Sequence, residues 1–164
     1  MPTHETGKLK LAAKGDREVV MIREFQASRK LVFDAWTKPE LLRRWLAGPE
    51  GWTMTVCTID LKVGGHYRYE WAHGNGQKMG MGGIYREIVP HERISVTEQF
   101  DEAWYPGSAV VTTVLSEKNG VTTVESTVTY SSQEARDTVL RSPMEDGVAA
   151  SYNRLEKLLE SNFA

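Results

Sequence analysis

Residues 131–160 read SSQEARDTVLRSPMEDGVAASYNRLEKLLE, and this stretch contains two signals for the start of a helix. The signals are Ser131-x-x-Glu134 and Ser142-Pro143-x-Glu145. A serine followed three residues later by a glutamate is typical of an N-terminal capping box, and proline is tolerated in the first turn of a helix. We therefore predict a short helix that ends near Arg141 and a long helix that begins at Pro143.

The long helix has one apolar face. Its apolar residues recur at helical spacing, and polar residues occupy the opposite face. The apolar residues are Met144, Val148, Tyr152, Leu155, Leu158 and Leu159, and the polar ones are Glu145, Asn153, Glu156, Lys157 and Glu160. The apolar face also contains Gly147 and Ser151, although a glycine within a helix costs about 1 kcal/mol relative to alanine. Either a strand backbone packs closely against these small residues, or they leave a void that a ligand can fill.

Length and composition exclude several classes of protein. A chain of 164 residues fits one domain, and a net charge of -2 offers no basic field for nucleic acid. The sequence contains no run of about 18 apolar residues, so we expect no membrane partner. The lone Cys57 cannot form an intramolecular disulfide, and residues 1–15 lack the apolar run of a signal peptide. We expect a soluble, cytoplasmic protein without a cofactor.

The N-terminal part predicts a strand followed by two short helices. Residues 1–15 form either a tail or an extra edge strand before a single domain over 16–164. A strand over Glu18–Phe25 follows, and Ser28 is positioned to cap the first helix. The motif Thr37-x-Pro39-Glu40 predicts the start of a second helix, which ends before Gly48-Pro49.

The middle of the chain predicts an antiparallel meander. The predicted strands are Thr53–Asp60, His66–His73, Gly80–Ile88, Arg93–Phe100, Ala109–Ser116 and Val121–Tyr130. Asn119-Gly120 predicts a type I′ hairpin turn, and Gly82-Gly83 predicts a bulge or a bend. The sheet has about six to seven strands, and only the C-terminal helix is long enough to cover its apolar face. These elements predict an α+β fold in which a curved sheet wraps around that helix.

Four segments in this order resemble one known family. They are FQASRKLVFDAWTKPELLRRW, Asp60 with LKVGGHYR, GGIYREIVPHERI, and TYSSQEARDTVL. Together they resemble the START-like (SRPBCC) superfamily over residues 16–162, within the branch related to the activator of heat shock protein 90 ATPase. The resemblance implies a helix-grip fold, a cavity for an apolar ligand and, from the branch name, a role in the stress response. Leu46 and Val148 depart from the branch by having less bulk near the expected cavity.

Alternation along the strand His66–His73 places three aromatic residues on one face, namely Tyr67, Tyr69 and Trp71. Aromatic side chains with polar tips can line a ligand pocket, and they can equally form a packed core. Both readings stay open at this point. Met79, Met81 and Tyr85 also share one face of their strand, where we favour gap-filling core residues over pocket residues.

Three carboxylates are candidates for acid–base chemistry, namely Glu70, Glu98 and Glu125. Glu98 shares the face of Ile94, Val96 and Phe100, so it can point inward, where burial raises the pKa of a carboxyl group. We favour a structural ion pair of Glu98 with Arg86 or Arg93. The histidines His4, His66, His73 and His91 lack chelating spacing, so we expect no metal, and we expect Cys57 to be a buried, unreactive thiol.

The main hypothesis is a non-enzymatic protein that binds a small apolar or aromatic ligand between the sheet and the long helix. The expected site residues are Gly147, Ser151 and Tyr152 as the floor, Tyr67, Tyr69, Trp71, Met81, Phe100 and Trp104 as walls, and Trp45 as part of a lid. The second hypothesis is a co-chaperone-like activator of a chaperone ATPase, which the resemblance implies. The third is a cyclase or hydrolase that uses Glu98. Trp104 and Tyr105 can alternatively form a dimer contact, so both a monomer and a homodimer are compatible with the sequence.

Overall fold

The computed structural model describes residues 9–163. Its strands are β1 (Lys10–Lys14), β2 (Glu18–Phe25), β3 (Trp52–Ile59), β4 (His66–His73), β5 (Lys78–Val89), β6 (Arg93–Phe100), β7 (Ala109–Lys118) and β8 (Val121–Tyr130). Its helices are α1 (Arg29–Thr37), α2 (Pro39–Trp45), α3 (Gln133–Leu140) and α4 (Met144–Glu160). The predicted order of strands and helices is therefore confirmed, with small shifts at several strand ends.

All eight described strands form one antiparallel sheet in the order β1-β2-β8-β7-β6-β5-β4-β3. The predicted α+β helix-grip fold is confirmed, and the sheet has one strand more than expected. The additional strand is β1, which pairs with β2 at the edge of the sheet. Asn119 and Gly120 both have positive φ angles, 54° and 78°, as the predicted hairpin turn requires.

Helix starts differ from the predicted capping boxes in three of four cases. Ser28 caps α1 as predicted, because its Oγ accepts a hydrogen bond from the Leu31 amide. The helix α3 is capped by Ser132 rather than by its neighbour Ser131. Neither α2 nor α4 has a side-chain cap. The Thr37 hydroxyl instead donates to the Phe33 carbonyl at the end of α1. The Ser142 hydroxyl donates to the Val139 carbonyl at the end of α3.

Two bulges bend the sheet, and neither lies at Gly82-Gly83. The register between β5 and β6 is the same at Gly82 and at Tyr85, and it shifts only between Tyr85 and Glu87. A second shift lies between Met54 and Val56 in β3. Gly83 instead allows a close approach of β6, because a Cβ atom there would lie 1.9 Å from the Thr97 carbonyl oxygen.

The C-terminal half of α4 packs tightly on the sheet. Leu155, Leu158 and Leu159 are buried in the main core cluster. Arg23 of β2 is 1% exposed and reaches the helix, where it donates hydrogen bonds to Asn153 and Glu156. Asn153 and Glu156 were predicted on the solvent face of the helix. The sheet therefore contacts polar residues of α4 as well as its apolar face.

Candidate functional site

A cavity of about 1400 Å³ lies between the sheet and the N-terminal half of α4. A Cβ atom built on Gly147 would meet no atom within 4 Å. No strand backbone therefore packs against this glycine, which is exposed and lines the cavity. Of the two alternatives for the small residues of α4, close packing of a strand backbone is wrong at Gly147, and both Gly147 and Ser151 line the cavity.

The lining of this cavity includes every residue predicted for the ligand site. The ten residues are Trp45, Tyr67, Tyr69, Trp71, Met81, Phe100, Trp104, Gly147, Ser151 and Tyr152. Leu46 and Val148, the two less bulky departures from the family pattern, also line the cavity. The fold thus brings these residues to one place, and their part in binding stays a prediction.

Two short helices close one side of the cavity through aromatic packing. Trp45 is 2% exposed, and its ring centroid lies 4.7 Å from that of Trp36 and 6.1 Å from that of Tyr152. Its indole N–H donates to the Ala35 carbonyl at 2.9 Å. Trp45 is therefore held as a wall of the cavity in this conformation.

The aromatic row on β4 has both fixed and available polar groups. The Tyr67 hydroxyl donates to the Thr97 carbonyl at 2.6 Å, and the Trp71 indole N–H donates to the Leu46 carbonyl at 2.8 Å. Tyr69 lies between them, and its hydroxyl has no hydrogen-bond partner within residues 9–163. Burial raises the pKa of Tyr69 well above its ordinary value, so this hydroxyl stays neutral. It is available to a ligand as a donor or an acceptor.

Glu98 faces the cavity from β6, as the alternation along the strand predicted. The predicted ion pair with an arginine is wrong. Arg93 donates to Glu87 at 2.5 Å, and Arg86 is exposed on the opposite side of β5. The partner of Glu98 is instead Tyr105, whose hydroxyl donates to Oε1 at 3.1 Å.

The surroundings of Glu98 favour its neutral form more than water does. Burial raises the pKa of this carboxyl group, and the hydrogen bond from Tyr105 offsets part of that rise. The second carboxyl oxygen, Oε2, has no hydrogen-bond partner in the described part of the chain. Glu98 therefore presents a polar atom without a hydrogen-bond partner to the cavity.

The other two carboxylate candidates do not lie in the interior, although Glu70 lines the outer part of the cavity. Glu70 accepts a hydrogen bond from Arg68 Nε at 3.0 Å, and Arg68 also forms an ion pair with Asp101. Glu125 is exposed on the outer face of β8. Of the three candidates, Glu98 is the one whose carboxyl group lies in the interior.

Tyr105 was predicted as a possible dimer contact, and the structure corrects this. Tyr105 is 4% exposed, and its ring packs edge-on against Tyr130 at 5.2 Å and near Phe100 at 6.1 Å. Its neighbour Trp104 is 41% exposed at the cavity rim. Sequence reasoning also missed Tyr130 as a lining residue, although alternation along β8 places it on the same face as Ser126 and Val128.

Cys57 and the histidines add no further chemistry to the cavity. Cys57 is buried, and burial raises the pKa of its thiol even though Arg43 acts in the opposite direction. Such a thiol is a poor nucleophile. Within residues 9–163, no group of three or more histidine, cysteine or acidic side chains is arranged to hold a metal ion. No described helix is long and apolar enough to cross a membrane.

Fold, cavity and sequence motifs agree with one family. The family described as Activator of Hsp90 ATPase homolog 1-like protein matches residues 26–160. The chain belongs to this family. The match covers both short helices, the sheet from β3 onward and all of α4. The START-like resemblance seen in the sequence is thereby confirmed.

Solved structures of other proteins share the architecture of this Activator of Hsp90 ATPase homolog 1-like chain. A protein from Rhodobacter sphaeroides is 29% identical, with a TM-score of 0.88, and the alignment covers 93% of this chain and 98% of that one. A protein from Chromobacterium violaceum is 28% identical with a TM-score of 0.72, covering 89% and 99% of the two chains. A protein from Arthrobacter aurescens is 22% identical with a TM-score of 0.82, covering 93% and 91%, and shows the fold alone. No curated protein matches the chain.

Proposed function

We propose that this protein binds a small apolar or aromatic ligand in the cavity between the sheet and α4. The observation that carries the proposal is the cavity itself, which lies between the sheet and the N-terminal half of α4, whereas the apolar residues of the other half are buried. A packed core would fill this position, because burying apolar side chains stabilises a fold and voids destabilise it.

The character of the lining supports an aromatic or apolar ligand. Ligand pockets are mostly apolar, with a few polar groups that fix orientation, and their volumes are commonly about 300–1000 Å³. The cavity here is larger, at about 1400 Å³. Its aromatic row on β4 offers ring faces for stacking, and Tyr69 and Glu98 offer free polar atoms.

A chemical-shift map of the isotopically labelled protein tests this proposal. The protein is titrated with a pool of small aromatic compounds and medium-chain fatty acids. We expect saturable amide shifts clustered at residues 67–71 and 147–152. The hairpin between β7 and β8, around Asn119, is the internal control because it lies outside the cavity lining. Shifts confined to that control region, or no shifts at all, would contradict the proposal.

A second candidate function is activation of the Hsp90 ATPase, and the description of the matched family favours it. This function needs a surface of the protein that binds the chaperone, and it does not need a cavity. The test is a pull-down with purified Hsp90 combined with measurement of its ATPase turnover. A bound chaperone with raised turnover supports this candidate, and an unbound chaperone with unchanged turnover removes it.

Catalysis through Glu98 has less support. Acid–base catalysis is most effective when the pKa of the group that moves the proton lies near the operating pH. The titratable side chains around Glu98 are tyrosines, and burial raises the pKa values of Tyr67, Tyr105 and Tyr130 further above their ordinary values. These tyrosines serve as neutral hydrogen-bonding groups, which suits binding better than proton transfer.

A further inference from the structure

Glu98 is the feature of the cavity that apolar ligand binding does not explain. Its carboxyl group lies among aromatic side chains, with Oε1 bonded to Tyr105 and Oε2 free. A polar group in such a position costs stability unless it finds a partner. The Oε2 oxygen is therefore available to a polar group of a ligand.

The protein itself supplies no cation to this carboxyl group. Arg68 and Lys78 line the outer part of the cavity, but Arg68 is engaged by Asp101 and Glu70, and Lys78 is exposed at the start of β5. Glu102 and Asp101 add negative charge at the same rim. The first turn of α4 carries Glu145 and Asp146, which counter the positive end of that helix. The charges around the cavity therefore favour a positive ligand.

The aromatic lining supports the same sign of charge. The negative faces of tyrosine and tryptophan rings attract organic cations, and the attraction increases when the cation is removed from water. Tyr67, Tyr69 and Trp71 form a continuous row, with successive ring centroids 5.0 and 6.0 Å apart. Tyr130 adds a further ring to the lining, and the Tyr105 ring packs 5.2 Å from it while its hydroxyl bonds to Glu98.

We propose that the cavity selects apolar or aromatic ligands that carry a protonated amine, and that Glu98 accepts the hydrogen bond from that amine. This inference rests on the proposed function and adds the charge of the ligand. A charge-assisted hydrogen bond between an ammonium group and a carboxylate is stronger than a neutral one, so the amine gives the ligand both affinity and orientation.

Three indole compounds of similar size test the charge preference. Tryptamine carries an ammonium group, tryptophol carries a neutral hydroxyl group, and indoleacetate carries a carboxylate. Affinities are measured by calorimetry at neutral pH for the wild type and for Glu98→Gln. We expect tryptamine to bind the wild type about tenfold more tightly than tryptophol, which corresponds to one hydrogen bond to a charged group. Indoleacetate should bind most weakly.

Two variants distinguish the effect of the Glu98 charge on ligand binding from the effect of the cavity shape. Glu98→Gln should lose the preference for tryptamine while it still binds tryptophol. Glu125→Gln is the matched control, since it removes the same charge from the exposed outer face of the sheet and should keep the preference. Two results would overturn this inference but not the proposed ligand binding. One is a wild type that binds tryptophol as tightly as tryptamine, and the other is a Glu98→Gln variant that keeps the preference for tryptamine. No binding of any of the three would overturn both proposals.

A measurement on the wild type alone tests the same point without a variant. Acidification protonates Glu98 but leaves tryptamine charged, so the preference for tryptamine over tryptophol should disappear. The titratable groups that face Glu98 are Tyr67 and Tyr69 from β4, Tyr105 and Tyr130, and all four stay neutral in this range because their pKa values are raised. At the rim, the hydrogen bond from Arg68 lowers the pKa of Asp101. A preference that persists after acidification contradicts the role of Glu98.

Discussion

The Tyr105 hydroxyl donates a hydrogen bond at 3.1 Å to Oε1 of Glu98, a residue that lines the cavity between sheet and helix. Tyr105 lies in the segment between β6 and β7, and Glu98 lies near the end of β6. The bond gives the carboxyl group one neutral donor and no counter-charge. Burial therefore remains the dominant influence on Glu98 and raises its pKa.

The pH dependence of stability should reveal this carboxyl group. The pKa of Glu98 in the folded protein is raised above its ordinary value of 4.5, so the folded state binds this proton more tightly than the unfolded state. Its contribution to stability is fully present below that ordinary value and is lost as pH rises through the folded pKa. Glu98→Gln lacks this titration. We therefore expect the stability of the variant relative to the wild type to increase with pH across that window.

Denaturant unfolding of both proteins over a series of pH values measures this difference. Glu125→Gln provides the control, because Glu125 is exposed and its loss should leave the stability curve parallel to that of the wild type. A Glu98→Gln curve that also runs parallel to the wild type would show that the folded protein does not perturb Glu98.

Filling the space beneath α4 should separate stability from ligand binding. Gly147→Ala should stabilise the fold by about 1 kcal/mol, because alanine favours a helix interior and no atom lies near the new methyl group. Gly147→Leu should also fold stably, but its larger side chain enters the cavity. Denaturant unfolding reports the stability, and a chemical-shift titration with tryptophol reports binding. Only the leucine variant should lose binding, and equal affinity in both variants would refute the assignment of Gly147 to the site.

Gly83 should tolerate no side chain. Its Cβ atom would lie 1.9 Å from the Thr97 carbonyl oxygen, which also accepts the Tyr67 hydroxyl bond. We expect Gly83→Ala to destabilise the protein by about 2 kcal/mol, the typical effect of overpacking. Gly74→Ala is the control, because a Cβ atom there meets nothing within 4 Å. Thermal unfolding of the two variants makes the comparison, and equal stability would show that β5 and β6 can separate at low cost.

The link between β2 and α4 should depend on Glu156. Arg23 is 1% exposed and donates to Glu156 Oε1 at 3.1 Å, so removal of the carboxylate leaves a buried cation with Asn153 as its remaining anchor on the helix. We expect Glu156→Ala to cost about 2 kcal/mol. Glu160→Ala, at the exposed end of the same helix, should cost less than about 0.5 kcal/mol. Denaturant unfolding of both variants checks this, and similar losses would show that Arg23 is held by packing alone.

Residue periodicity predicted the faces of most strands correctly, because alternation is a local property. Tyr67, Trp71 and Glu98 face the cavity as their positions in β4 and β6 indicated. The prediction failed where a bulge changes the alternation. Met54 and Cys57 are three residues apart and are both buried, which an unbroken strand does not permit.

Helix boundaries and ion pairs were predicted less well, because they depend on competing partners. Ser131 donates to the Pro106 carbonyl, so the neighbouring Ser132 caps α3. Arg93 has Glu87 within reach across the β5–β6 ladder, so Glu98 is left with Tyr105. Neither competitor is visible from spacing along the chain.

The sequence by itself determined the order of the helices and strands, the apolar face of α4, the inward face of β4 and the family. Each of these depends on residues close together in the chain or on motifs read in order. The tertiary structure decided that the N-terminal half of α4 lines a cavity, that Tyr105 is the partner of Glu98 and that Arg23 bridges to α4. These outcomes depend on how closely the curved sheet approaches the helix, and that distance is set by bulges and side chains far apart in sequence.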